Sequence, residues 1–225
     1  MSITGSTFTN LKAGTDGGIG YTSCTSFTLT GVNWITLNTL ANTGTGGLIY
    51  MTGTSFSSIN LSTCKFEISQ AGQKSGGFYL NNPSGSTTMT LLSTIFKDFT
   101  AESDGGIGYT SCTAFIFSGT SVTSTNTLSR VGTGGLFYMT GTSSSVTIVT
   151  STFTNSVAGV KAGGFYLNNP TGTTLMDIKT STFTTFRADT DGGLGYVSST
   201  SFTLKMLTVT VTSSIANTGS GGLIY

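Results

Sequence analysis

The 225-residue chain contains no histidine, and that absence removes two classes of chemistry at once: serine–histidine nucleophiles and histidine-held metals. Charge is scarce as well. Asp, Glu, Lys and Arg make up 8% of the residues, with a net charge of +1, where an ordinary domain carries roughly 25%. No basic stripe for nucleic acid and no acidic tail stands out. No apolar run approaches the ~20 residues needed to span a bilayer, and the N-terminus lacks the charged and apolar regions of a signal peptide. The three cysteines give no disulfide framework. Cys24 and Cys112 fall at the same place in a repeat, so three coils set them about 14 Å apart, too far to bridge. Cys64 stands where Ser or Thr stands two before a Phe in other repeats, as a small buried substitute.

What the chain has is glycine, 32 residues of it, together with enough apolar (36%) and aromatic (11%) side chains for a core. A Gly-Gly pair recurs at Gly17, Gly46, Gly76, Gly105, Gly134, Gly163, Gly192 and Gly221, with spacings of 29, 30, 29, 29, 29, 29 and 29 residues. A fixed period in this range denotes a stacked repeat array. A longer period of three coils overlies it: Met1, Met89 and Met176 open super-repeats 1–88, 89–175 and a partial 176–225. Met1 sits at the repeat's own methionine position and Tyr225 falls inside a strand motif, so the expectation is a segment of a longer repetitive protein.

After each Gly-Gly comes a period-2 pattern, and the rest of each coil is rich in alternating Thr, Val, Ile and Phe, which favours strand. No segment shows a helical stripe of useful length. About 29 residues fit three short strands and three turns. The diglycines are expected at coil corners, where positive φ or close approach is needed; Asn81-Asn82-Pro83 and Asn168-Asn169-Pro170 mark another corner. The fold class expected is all-β, a parallel β-helix (β-solenoid) forming one continuous unit.

Gly46-Gly47-Leu48-Ile49, Gly221-Gly222-Leu223-Ile224 and the Phe8-Thr9-Asn10 type of segment resemble the Gly-Gly-Ala-Ile and Phe-x-x-Asn repeats of chlamydial polymorphic outer-membrane proteins. More broadly they resemble large parallel β-helix surface proteins. The Phe-to-Asn spacing is one residue shorter here. The resemblance implies right-handed winding, an extracellular or cell-surface location, and a structural or adhesive role.

For chemistry, the acids Asp16, Asp104 and Asp191 are repeat-equivalent and read as turn residues before Gly-Gly. Asp98, Glu102 and Asp104, echoed by Asp189 and Asp191, form the densest acidic run. The expectation is no enzyme, no cofactor and no metal. The middle residue of each Gly-Gly strand is read as outward-facing, which places Ile49, Tyr79, Phe137, Tyr166 and Ile224 in an exposed row suited to self-assembly; a register one residue over would put that row in the core. Thr-x-Thr occurs at Thr28–Thr30, Thr150–Thr152 and Thr208–Thr212 without recurring at one position in every coil, so no regular threonine lattice for ice is expected. Asn60-Leu61-Ser62 is the sole glycosylation sequon. The function expected is a structural β-solenoid that assembles with itself into an extracellular filament or coat. The alternative is a monomeric adhesin shaft with glycans as partners; a polysaccharide-active enzyme and an ice-binding protein rank lower.

Overall fold

The computed structural model describes residues 1–225 and contains no helix: seventeen strands, all paired in parallel, wind into a β-solenoid. Each coil pairs a short strand with a long one. The short strands are Thr7–Ala13, Ile35–Ala41, Lys65–Ala71, Ile95–Ala101, Thr123–Ser129, Thr152–Ala158, Thr182–Ala188 and Thr210–Ala216. They stack into one eight-stranded sheet. The long strands run from Gly20–Val32 to Gly195–Leu207 and stack into a second sheet, joined by Ser2–Thr4 below. Seven coils are complete, with Thr210–Tyr225 beginning an eighth. Three strands per coil were expected. The long strand instead carries both of the missing faces, bent at a register shift such as Asn82/Ser86 or Asn169/Thr173. In the fifth coil the bend breaks it outright into Phe137–Thr140 and Ser143–Val149.

A single cluster of 34 buried apolar side chains fills the axis. Its aromatic rings pack coil on coil: Phe66 on Phe96 at 5.5 Å, and Phe153 on Phe183 at 5.2 Å. Size is balanced within coils. Trp34, the only tryptophan, meets Phe66 edge-on at 4.9 Å, while its neighbour Thr36 takes the small place in the column that is Phe in coils three and four. Cys64 donates to the Ser62 carbonyl as Ser151 and Ser181 donate to Val149 and Lys179, the substitution expected from sequence. All three cysteines are free.

The corners correct the reading of the glycines. Gly17, Gly46, Gly105, Gly134, Gly192 and Gly221 hold φ between 64° and 72°, as expected of corner residues. Gly76 and Gly163 do not. Their coils turn one residue earlier, at Ser75 and Ala162, both at φ 55°. Gly76 and Gly163 therefore belong to the next column, Gly18, Gly47, Gly76, Gly106, Gly135, Gly163, Gly193 and Gly222, which is glycine in every coil. The reason is close approach. A Cβ on Gly47 would lie 2.1 Å from the Gly76 carbonyl oxygen of the next coil, and one on Gly106 2.1 Å from that of Gly135.

Candidate functional site

From each corner the chain curls so that two successive side chains face inward before alternation begins. Leu48 and Ile49 are both buried; Tyr50 then points out and Met51 in. This one-residue offset overturns the expected exposed row. Ile49 and Phe137 are 1% and 2% exposed, in the same inward column as Phe78, Phe165 and Ile224. Glycines Gly20, Gly108 and Gly195 alternate with them, and a Cβ on Gly108 would fall 2.5 Å from the Phe137 ring. Only Tyr79 and Tyr166 of the five proposed contacts face outward. Tyr21, Tyr50, Tyr109, Tyr138, Tyr196 and Tyr225 join them.

The result is a ladder of all eight tyrosines of the chain: Tyr21, Tyr50, Tyr79, Tyr109, Tyr138, Tyr166, Tyr196 and Tyr225. Successive ring centroids lie 4.8–5.1 Å apart and adjacent planes differ by 5° to 16°. The rings cover one another's faces, so solvent meets their edges and hydroxyls. Partial burial pushes the Tyr79 phenol up to about 12, with the neighbouring phenols and Asp16 adding to the shift, and raises Tyr50, Tyr138 and Tyr166 as well. Sequence held a signal for this ladder: each tyrosine stands four residues after its corner residue, whether that is Gly17, Ser75 or Ala162. Alignment on the diglycines hides it.

Beside the ladder runs a second column with the three-coil period: Asp16, Thr45, Lys74, Asp104, Thr133, Lys161, Asp191, Ser220. The aspartates do not close their own turns, as expected from sequence; they tie coils together. Asp16 Oδ1 accepts from the Thr45 backbone N–H at 2.8 Å and from its hydroxyl at 3.1 Å, and Asp104 does the same for Thr133. From the coil below, Lys74 Nζ lies 3.6 Å from Asp104 and 4.3 Å from the centroid of Tyr109. Lys161 repeats this with Asp191 at 3.5 Å and Tyr196 at 4.2 Å. Burial works against the Lys161 charge, but Tyr196 and Asp191 outweigh it and hold the ammonium above its ordinary value.

The other acids are dispersed. Asp98 accepts from Asn126, Glu102 pairs with Arg130, and Asp189 accepts from Asn217; no three Cys, Asp or Glu side chains converge as metal ligands would. At the bend of the long strand the three-coil period reappears as Cys24, Gly53, Asn82, Cys112, Gly141, Asn169 and Ser199. Here Cys112 donates to the Ala114 carbonyl and Asn82 to that of Ser86. Burial raises the Cys112 thiol, so it stays protonated and unreactive. Asn60 of the sequon is exposed on the outer face of the long-strand sheet.

A separate patch lies on the short-strand sheet. Ile35, Leu37, Ile68 and Ile95 are 37% to 40% exposed around the ion cluster of Lys65, Glu67 and Lys97. No protein-family model, curated protein or solved structure matches this chain.

Proposed function

We propose that this chain is a structural β-solenoid, a stiff rod of an extracellular or cell-surface assembly that associates with copies of itself. The observation that carries the reading is the unbroken tyrosine ladder from Tyr21 to Tyr225, flanked by aspartates that bind the next coil. Such a column gains one stacked ring with each coil added and an aspartate-centred set of inter-coil bonds with every third, which suits a load-bearing shaft. The Ile35, Leu37, Ile68 and Ile95 patch supplies side-to-side contact, because exposed apolar surface concentrated in one place marks an interface. The mixed charges within it fix the register of approach.

Electron microscopy of the purified chain, with sedimentation, tests this. Bundled rods or filaments that separate into single rods in the Ile35→Asp/Leu37→Asp variant are expected. Single rods at every concentration would sink self-association.

A further inference from the structure

The outer face of the short-strand sheet carries a second surface, distinct from the apolar patch. In coils five to eight the two outward columns at the start of each short strand, ahead of the positive-φ residues Asn126, Asn155, Thr185 and Ser213, are threonine without exception. Thr123, Thr152, Thr182 and Thr210 are register partners in one column, and Thr125, Thr154, Thr184 and Thr212 in the other. Each coil therefore reads Thr-x-Thr, with Ser124, Phe153, Phe183 or Val211 turned into the core between the pair. The runs Thr150–Thr152 and Thr208–Thr212 already contain Thr152, Thr210 and Thr212 of this lattice, but it fills only coils five to eight, so a search for threonine at one position in every coil passes over it.

The geometry points to an ice-binding face formed by these eight threonines. Strands of the sheet are ~4.8 Å apart and rise ~3.3 Å per residue, so the hydroxyls form a grid of roughly 4.8 by 6.6 Å. Both spacings are close to oxygen repeats of hexagonal ice. A β-branched side chain on a strand has restricted χ1, which fixes hydroxyl and methyl alike and leaves little side-chain entropy to lose on adsorption. None of the eight hydroxyls bonds to a protein group, whereas Thr127 and Thr190 nearby spend theirs internally. They are free to anchor water, and the methyls between them order it into rows. The rigid stack of Phe153 on Phe183 backs the centre of the grid.

Strand propensity alone does not account for the pattern. Outward columns of the long strands in coils five to seven are mixed: Ser145, Leu175 and Thr203 in one, Thr147, Asp177 and Lys205 in the next. The grid also stops sharply, since the same positions in coils two to four are Ile35 and Leu37, Lys65 and Glu67, and Ile95 and Lys97. An adsorbing surface needs an uncharged block of adjoining coils in register, and the eight threonines form one.

The test is ice-growth microscopy on the intact chain, with circular dichroism as the folding control. The expected result is faceted crystals and a gap between melting and growth temperatures that widens with protein concentration. Thr154→Lys/Thr184→Lys, at the centre of the grid, should abolish both, while Thr147→Lys on the other sheet leaves them unchanged. Round crystals growing as in buffer overturn the proposal, as does a folded double variant with full activity. A dimer that this double variant dissolves would also overturn it, by making a second copy the occupant. Filament formation through the apolar patch is a separate matter, and its failure leaves the ice result standing.

Discussion

The ring of Phe99 occupies the notch left by Gly77 in the coil below: a Cβ on Gly77 would sit 2.9 Å from Phe99 Cε1, as well as 2.5 Å from the Ile107 carbonyl oxygen. Three coils on, Phe186 and Gly164 repeat the relationship at 2.9 Å. Coils that carry Leu48, Ile107, Leu136 or Leu194 in the glycine's column fill the same space from within.

This pairing predicts strong coupling. Gly77→Ala alone should destabilise the fold by about 2 kcal/mol, the usual cost of overpacking. Phe99→Thr alone should cost about 3 kcal/mol through the cavity it leaves. In the double variant the two should recover about 1 kcal/mol, because Thr vacates the ring's share of the space while the Ile107 carbonyl still meets the new methyl. Denaturant unfolding of the four proteins gives the cycle, and simple additivity would refute the complementarity.

The glycine column next to the corner predicts a second, harsher effect. Gly106→Ala directs a methyl at the Gly135 carbonyl from 2.1 Å, and the obstacle is backbone that cannot swing aside. The coils must separate, at a cost of about 3 kcal/mol or more. Gly14→Ala meets nothing within 4 Å and should change stability by less than about 0.5 kcal/mol. Equal melting temperatures for the two variants would show that coil spacing is not what the column protects.

The period and the parallel stacking were legible in the sequence, because 29-residue recurrence and apolar alternation are one-dimensional signals. Which face Tyr50 and Ile49 occupy was not. That choice depends on how the backbone curls after the corner, where Leu48 and Ile49 both turn inward and break the alternation. The diglycine misled for a related reason. Gly46-Gly47 combines a corner with a close approach, whereas Gly76-Gly77 combines a close approach with a notch for Phe99. Two different physical demands produce the same pair of letters, and only the register of neighbouring coils separates them.

Thr36 carries a hydroxyl that is fully buried and makes no hydrogen bond, in a column where coils three and four place Phe66 and Phe96. Valine has the same shape and no polar atom to desolvate. Thr36→Val should therefore stabilise the chain by about 1 kcal/mol. Thermal unfolding monitored by circular dichroism measures it, and a lower midpoint would mean that the hydroxyl has a partner the packing does not provide.

The tyrosine ladder sets the alkaline limit of the fold. Burial, and then the neighbouring phenols Tyr109 and Tyr50 with Asp16, raise Tyr79 from 10.0 to about 12, so the folded state favours the neutral phenol. For a group raised in this way the stabilisation is complete below the unfolded pKa and disappears as pH climbs through the folded one. The rod should hold its stability up to about pH 10 and lose it between there and about 12. The phenolate absorbance owed to Tyr50, Tyr79, Tyr138 and Tyr166 should accordingly rise later than that of free tyrosine and coincide with loss of strand signal, since ionised phenols stacked 4.8 Å apart repel one another. Tyr79→Phe keeps the stacked ring and removes the proton, so its unfolding transition should move to higher pH. A titration with no late-rising phenols, or a variant that unfolds at the same pH as its parent, would show that the ladder does not control alkaline stability.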